Sequence, residues 1–487
     1  SAAELMLGRV FPTCGGGDED PDRLVPPLLK PGDESRGTLA FMRILFVAAE
    51  FAPYVRTGGL GNAVAGLAHA VAADHEVTAA IPGYRDADMP GRKVAGRPWR
   101  RHREGNVEVL FWLDESFDRP GVYGPDPSSS YDDNWERFAR FSVAVSELAG
   151  EFDVIHLHDG HVGAVALTTS VPSVFTIHNA SYPMIGPLGP SIEIFGLSPK
   201  ASVMGGDMEW FGEANYLKAG IVGATQATTV SPGHARELNV DALSFGLGGI
   251  IRGLFRPILG VVNGIDTDDW DPKTDPMLPK PFSAADLTGR SASRAALLKT
   301  YGLEDGFLLG NVGRMSGQKG LRLIEYDLAT LVDEGARFVF MGNGDLDALV
   351  DSWVERHPKA VVHVPFDEPA SRLIFAGSDG YLMPSQYEPC GLGQIYAMRY
   401  GTPPIAHFTG GLEDTVFDID EDPTNGTGFV FRSFDHPSLT KTIRRAMRYR
   451  LAMPGLWNRI QTNGMTYDWS WSARAKEYEA IYESVLP

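Results

Sequence analysis

Short apolar runs alternate along this chain with longer stretches in which apolar positions recur at helical spacing. The runs are Arg43 to Ala49, Glu76 to Ile81, Val107 to Trp112, Val154 to His158, Ser173 to His178 and Ala227 to Val230. The first is almost wholly apolar and ends near glycines, as a parallel strand buried on both faces does. Segments such as Trp135 to Gly150 lie between the runs and read as helix. Strand alternating with helix predicts a doubly wound parallel sheet. The pattern then restarts at Phe307 to Val312, Arg337 to Met341, Val361 to Val364 and Gly380 to Pro384, which predicts a second α/β sheet. A boundary is expected within Asp271 to Ser291, where proline, glycine and charge concentrate, and a last helix from about Ser472 to Val485. The expected organisation is a flexible leader over 1–41, Rossmann-like domains over 42–275 and 276–465, and a final segment over 466–487. Two such sheets facing across a cleft would hold a ligand at the carboxyl ends of their strands.

Length agrees with two cores, because a single core stops growing at roughly 250–300 residues and this chain has 487. Its apolar fraction of 43% and charged fraction of 22% are those of an ordinary globular protein. The formal net charge of −19 argues against a nucleic-acid partner, which would require a basic face. No run of about 18 apolar residues exists to span a bilayer, so no membrane partner is expected. Two cysteines, Cys14 and Cys390, provide neither a disulfide framework nor a zinc cluster, which fits a reducing cytoplasm. A homo-oligomer is left open.

Candidate chemistry gathers where predicted strands end. Arg56-Thr-Gly-Gly-Leu-Gly follows the first strand, and Gly58 and Gly59 would let backbone amides approach a diphosphate that Arg56 could also meet. A tight strand-to-helix turn explains the same glycines. Gly313-Arg-Met-Ser-Gly-Gln-Lys-Gly sets Arg314 and Lys319 on one loop, which suits a departing diphosphate whose charge is growing, and equally suits a solvated loop. Tyr387-Glu-Pro-Cys-Gly-Leu is sharper: Glu388 can bind sugar hydroxyls while the helix that follows offers amides to phosphate. The plain alternative is a carboxylate answering the helix dipole. His156-Leu-His-Asp-Gly-His and Thr176-Ile-His-Asn also close strands, placing their imidazoles and Asp159 along one edge of the cleft. A metal is not expected there, since neither helical histidine spacing nor a cysteine partner accompanies them, and a hydrogen-bonded structural histidine is the commoner case. Lys218 is open to a reading as a surface helix charge, and Asn263-Gly-Ile-Asp reads as a turn between domains.

In this order and spacing the motifs resemble the bacterial glycogen synthases and plant starch synthases, over Met42 to about Tyr482. Most specific are Glu388-Pro-Cys-Gly-Leu, Tyr396-Ala-Met-Arg-Tyr-Gly-Thr and Thr409-Gly-Gly-Leu-Glu-Asp-Thr-Val; Phe117 to Gly124 and Asn134 with Arg137-Phe138 add to them. The resemblance implies the two-Rossmann architecture called GT-B, with the final helix crossing back to the first domain. It also implies transfer of glucose from ADP-glucose to an α-1,4-glucan, with retained configuration and no metal or other cofactor. Nucleotide sugar and saccharide acceptor would be the partners. His178, Arg314, Lys319 and Glu388 would be catalytic. Arg56, Gly58, Gly59, Arg314, Lys319, Cys390, Gly391 and Leu392 would hold the nucleotide diphosphate, and Asn62, Asp159, His178, Asn263 and Glu388 would meet the sugars.

The chain departs from the family in changes that gather on the expected substrate-facing side, while the diphosphate cations and the glutamate loop persist. Arg56 and Asn62 stand where the family has Lys and Asp, and His158-Asp-Gly-His161 replaces His-Asp-Trp-His. Ala180-Ser-Tyr-Pro-Met replaces Ala-Tyr-Gln-Gly, and Gly313-Arg-Met-Ser-Gly-Gln-Lys-Gly replaces Ser-Arg-Leu-Thr-x-Gln-Lys-Gly. The expectation is nucleotide-dependent transfer with an altered donor or acceptor, and a tryptophan returned to position 160 is expected to raise glucan affinity if the missing aromatic explains the altered acceptor choice. One rival is a pseudo-glycosyltransferase joining a nucleotide-activated unsaturated cyclitol to an amino sugar through a C–N bond, as in acarbose-like aminocyclitols. Another is a relic that binds glucan or nucleotide without turnover, against which the retention of Arg314, Lys319 and Glu388 together argues. A phosphorylase is not expected without a pyridoxal-phosphate lysine signature.

Overall fold

The computed structural model describes residues 40–126 and 129–487, so that nearly all of the leader expected over 1–41, with Cys14, lies outside the described residues. From edge to edge, the strands of a nine-stranded sheet are Leu259–Gly260, Gln226–Thr229, Ser173–Ile177, Val154–His158, Arg43–Val47, Glu76–Pro82, Val107–Trp112, Trp99–Glu104 and Arg92–Lys93. Pairing is parallel as far as Val107–Trp112, and the last two strands are antiparallel. The expected wholly parallel sheet is therefore corrected at this edge. Trp-Arg-Arg-His-Arg-Glu carries charge at nearly every position and shows no apolar run; it forms a strand because one face of an antiparallel pair can stay wet.

A second sheet is parallel throughout, in the order Val361–Val364, Ala336–Met341, Phe307–Val312, Gly380–Met383, Pro404–His407 and Phe429–Phe431. Its last two strands were not anticipated: Pro404–His407 opens on a proline and ends on a polar histidine, and Phe429–Phe431 is only three residues long. Beside the first sheet lies a small antiparallel one of Ile185–Pro187, Glu213–Asn215 and Glu209–Trp210.

Each sheet organises its own core. Leu45, Phe46, Phe111, Phe141 and Phe175 are buried in the first, and Leu309, Phe338, Phe340, Trp353 and Trp457 in the second. Burying a side chain of this size contributes about 1.5–3 kcal/mol. Trp471, Tyr478, Tyr482 and Val485 belong to the first core, although their helix, Trp471–Val485, follows the whole second sheet. That helix packs on helix Gly59–Val71, where Gly66 admits the Trp471 indole: a Cβ at 66 would lie 2.0 Å from the ring nitrogen. The Tyr482 hydroxyl, 2.7 Å from His156 Nδ1, ties the helix to a strand. The final helix thus crosses back onto the first sheet.

The junction between the halves is also built from distant sequence. Trp270 stacks on Tyr396 with ring centroids 3.8 Å apart, and Arg372 reaches the Asp269 carboxylate at 2.7 Å. The segment expected to turn at Asn263 to Asp266 bridges to the C-terminal segment, with the Ile265 N–H donating to the Trp469 carbonyl at 2.8 Å. Among the described residues no helix is long and apolar enough to cross a membrane.

Candidate active site

The loops leaving the carboxyl ends of Phe307–Val312 and Gly380–Met383 are locked together. The Gln386 N–H donates to the Gln318 carbonyl at 2.8 Å, and Gln318 Nε2 donates to the Tyr387 carbonyl at 3.1 Å. Gly320 makes this approach possible: its φ is +67°, and a Cβ there would lie 1.8 Å from the Pro384 carbonyl oxygen. Locking the loops brings the Lys319 ammonium to 2.6 Å from Glu388 Oε2, which also accepts from the Ser385 hydroxyl at 3.0 Å. Glu388 is 7% exposed. Arg314 lies outside this pair, exposed, with its guanidinium donating to the Tyr182 hydroxyl of the first half at 3.2 Å.

Lys319 and Glu388 line a cavity of about 80 Å³ with Asn311, Tyr381, Gly391 and Leu392. Gly391 turns the chain at φ +74°, and Gln394 Nε2 satisfies the carbonyls of Cys390 and Gly391 at 2.9 and 3.0 Å. The N–H groups of Gly391 and Leu392 have no partner among the described residues. The cavity therefore joins one cation, one carboxylate and free amide donors, a set that can receive an anion bearing hydroxyls. Cys390 is buried, its thiol pushed up to about 12 by desolvation and hydrogen-bonded by the backbone of Asn263. It is a neutral packing group, and Asn263 touches the second half through it.

The imidazoles gather where Val154–His158 and Ser173–Ile177 end in the first half. His158 Nδ1 and His178 Nε2 are 3.0 Å apart, and burial holds His178 down to about 3 and His161 to about 4, so both are neutral near pH 7. His156 is structural, bonded to Tyr482 and, at 2.6 Å, to Thr176. Asp159 sits at φ +62° and accepts the N–H groups of His178 and Asn179 at 2.7 and 3.3 Å; burial raises it to about 7. Its carboxylate is occupied in holding His178. Among the described residues no group of three or more His, Cys, Asp or Glu side chains could hold a metal ion.

The glycine loop is held by a residue that sequence reading missed. Glu50, buried just past the first strand, accepts from the Thr57 N–H and hydroxyl at 2.7 and 2.6 Å and from the Tyr123 hydroxyl at 2.6 Å. Tyr123 lies within the family-like run Phe117 to Gly124, but nothing local to Glu50 announces the pairing. A Cβ at Gly58 or Gly59 would meet nothing within 4 Å, so packing does not demand either glycine, and both face open space. Asn62 lies half-buried in the first turn of helix Gly59–Val71. Arg56 is half exposed and pairs with Glu368 of the second half at 3.3 Å.

Position 160 overturns an expectation. A Cβ there would lie 2.9 Å from the Pro183 carbonyl oxygen and 3.2 Å from that of Tyr182. The segment Ser181 to Met184, itself a departure from the family, has taken the space of a side chain at 160. The two departures are one rearrangement, and a tryptophan at 160 has nowhere to go. Lys218 is likewise no surface charge: it is buried, with its ammonium donating to the carbonyls of Gly206 and Glu209 at 2.7 and 2.6 Å.

Residues 43–253 match the starch synthase catalytic domain, and residues 294–463 match the glycosyl transferases group 1. The glycogen synthase of Alkalilimnicola ehrlichii is 38% identical over 91% of this chain and 99% of its own length. That of Paracidovorax citrulli is 36% identical over 91% of this chain and 94% of its own length. The chain belongs to the glycogen and starch synthase family of glycosyltransferases. Its fold agrees with that family: the catalytic domain of starch synthase IV from Arabidopsis thaliana, a structure bound to ADP and acarbose, superposes with a TM-score of 0.82 at 30% identity, covering 92% of this chain and all of that one. Sucrose-phosphate synthase from Thermosynechococcus elongatus, 18% identical over 91% of this chain and 98% of its own, shares the GT-B fold with a TM-score of 0.60. In this glycosyltransferase the family's most specific motif is the loop carrying Glu388, and one of the departing stretches, Gly313 to Gly320, is hydrogen-bonded to it.

Proposed function

We propose that the protein transfers a glucosyl unit from a nucleoside-diphosphate glucose, ADP-glucose foremost, to the non-reducing end of an α-1,4-glucan or oligosaccharide, with retention and without a metal. The observation that carries this reading is the Lys319–Glu388 pair beside the unpartnered Gly391 and Leu392 amides. In the proposed reaction the bond between the sugar's anomeric carbon and the diphosphate breaks, and negative charge grows on the departing oxygen. Lys319, Arg314 and the amides take up that charge, Glu388 fixes the sugar through its hydroxyls, and neutral His178 stands beside the reacting carbon. An acceptor hydroxyl attacks from the face the diphosphate leaves and passes its proton to the diphosphate, so configuration is kept. The test is nucleotide release from ADP-, UDP- and GDP-glucose, with and without glycogen or maltotriose, followed by the product's mass. Acceptor-dependent release with one hexose added supports the reading; release indifferent to every saccharide would sink it.

The interlock of Gly160 with Pro183 bears on a second reading, since it rebuilds a stretch of the first half that meets Arg314 through Tyr182, and so bears on which donor or acceptor fits. An unsaturated cyclitol carried on a nucleoside diphosphate would leave as an allylic cation resembling the oxocarbenium ion, and an amine would attack it to form a C–N bond. This reading takes precedence if no glucose donor turns over while the folded protein still binds a nucleoside diphosphate.

A further inference from the structure

The edge of the first sheet carries an arrangement of charge that the proposed transfer does not use. Six of the 43 lysines and arginines lie between Arg92 and Arg103 with no acid among them, in a chain whose net charge is −19. Strand Arg92–Lys93 pairs with Trp99–Glu104 so that Arg92 stands opposite Arg101 and Lys93 opposite Arg100. Gly91 lets the two strands come this close: its φ is +94°, and a Cβ there would lie 2.0 Å from the Arg101 carbonyl oxygen. Like charges directly opposite each other on paired strands are destabilising. A charged edge does guard a sheet against the addition of a further strand. That guard needs charge, but it does not need two cations set in register against two others.

Alternation along the strands puts Arg92, Arg101 and Arg103 on one face, and all three are exposed. Glu108, opposite Arg103, shares that face and pairs with Arg101 at 3.2 Å. Arg103 reaches only the Asn106 carbonyl, at 3.4 Å, and the side chains of Arg92 and Lys93 have no partner among the described residues. Three guanidinium charges thus meet one carboxylate, and two remain uncompensated. The same residues, with Lys93 and His102, line an open cavity of about 470 Å³. Sites for small molecules run from roughly 300 to 1,000 Å³.

We infer that this edge is a binding site for a phosphate dianion, free or as the monoester of a small molecule. The two charges of the dianion match the two left over on the face, whereas a carboxylate would cancel only one. A guanidinium meets phosphate through two N–H groups at once, so a face of three arginines suits that geometry better than point charges would. The cavity also has room beyond a phosphate for the body of an ester. Three strands stand between Trp99–Glu104 and the strand that ends at His158, so the site is separate from the cleft and does not rest on the transferase reading.

The test is titration calorimetry and thermal melting of the wild-type chain and the Arg92→Thr/Arg101→Thr double variant, at a pH near 8 where phosphate is a dianion. The probes are inorganic phosphate and glucose 1-phosphate at matched ionic strength. Phosphate bound elsewhere, in the cleft included, is common to both proteins and cancels in the comparison. Affinity in the double variant should fall by about tenfold or more, as on loss of charged hydrogen bonds. Its melting temperature without phosphate should equal or exceed that of the wild type, because the opposed charges are gone. Arg92→Thr alone, which keeps the Arg101–Glu108 pair, should shift both quantities in the same directions and serves if the double variant does not fold. Tighter binding of glucose 1-phosphate assigns the site to an ester, and equal binding assigns it to phosphate itself. Equal affinities in wild type and variants would overturn the inference, as would chloride raising the wild-type melting temperature as much as phosphate does.

Discussion

Lys319 and Glu388 neutralise each other across 2.6 Å at a site largely shielded from water. Lys319→Ala removes the cation proposed to meet the departing diphosphate and leaves the carboxylate with Ser385 alone. Turnover should fall by about a hundredfold or more, as on removal of a preorganised charge stabiliser. Steady-state kinetics with the active donor check this, and an unchanged kcat would remove Lys319 from the reaction. Gly160→Trp should destabilise the protein by about 1–3 kcal/mol, as overpacking does, and bring no gain in glucan affinity. Thermal melting and an affinity gel read both effects. Glu388 could be picked out in the sequence because the residues that shape its loop lie beside it in the chain. Glu50 could not, because its partners Thr57 and Tyr123 meet it only once the first strand, the glycine loop and the segment before Asn134 have come together.

At the scale of elements, continuously apolar strands announce themselves, and strands such as Val107–Trp112 and Val361–Val364 run where the pattern puts them. The arginine-rich strand Trp99–Glu104 does not, because half of it faces water and its partner, not its composition, makes it a strand. The ends of two central strands carry a consequence for acid stability. Burial lowers His161 from an ordinary 6.5 to about 4 and His178 to about 3, with His156 and His158 lowered too. A group that resists protonation when folded makes unfolding take up protons, so stability rises with pH from about 4 to 6.5, His161 alone contributing about 3 kcal/mol over that interval. Asp159, raised from 3.8 to about 7, acts oppositely but is one group against four. Denaturant titrations across this range should show the midpoint increasing, and a flat or falling profile would contradict the buried, neutral cluster.

In the whole molecule, the two halves meet through backbone as much as through side chains. Glu237 accepts from the Thr409 hydroxyl at 2.7 Å and the Gly410 N–H at 2.8 Å. Gly410 in turn presses on the Glu388 carbonyl, from which a Cβ would be only 2.2 Å away. One carboxylate of the first half therefore steadies the loop that carries the proposed sugar-binding glutamate. Glu237→Ala should lower stability by about 1–3 kcal/mol, the cost of leaving buried donors unpaired, and change kcat and KM together, as loss of domain positioning does. Melting and steady-state kinetics check it. The family motif that begins at Thr409 points to one side of this contact, but not to Glu237 or to the contact itself, which depends on how the two sheets approach.

The helix Trp471–Val485 closes the core of the first sheet, yet it is translated after every strand of the second. On the ribosome, the first half must therefore wait with the groove beside Gly66 open, its apolar wall uncovered, while the second half is made and can fold on its own. The order of synthesis and the order of completion are reversed: the half that emerges first is finished last. A chain halted after the second sheet would be an aggregation-prone intermediate whose missing piece, supplied as a separate Trp471–Val485 peptide, should restore its solubility.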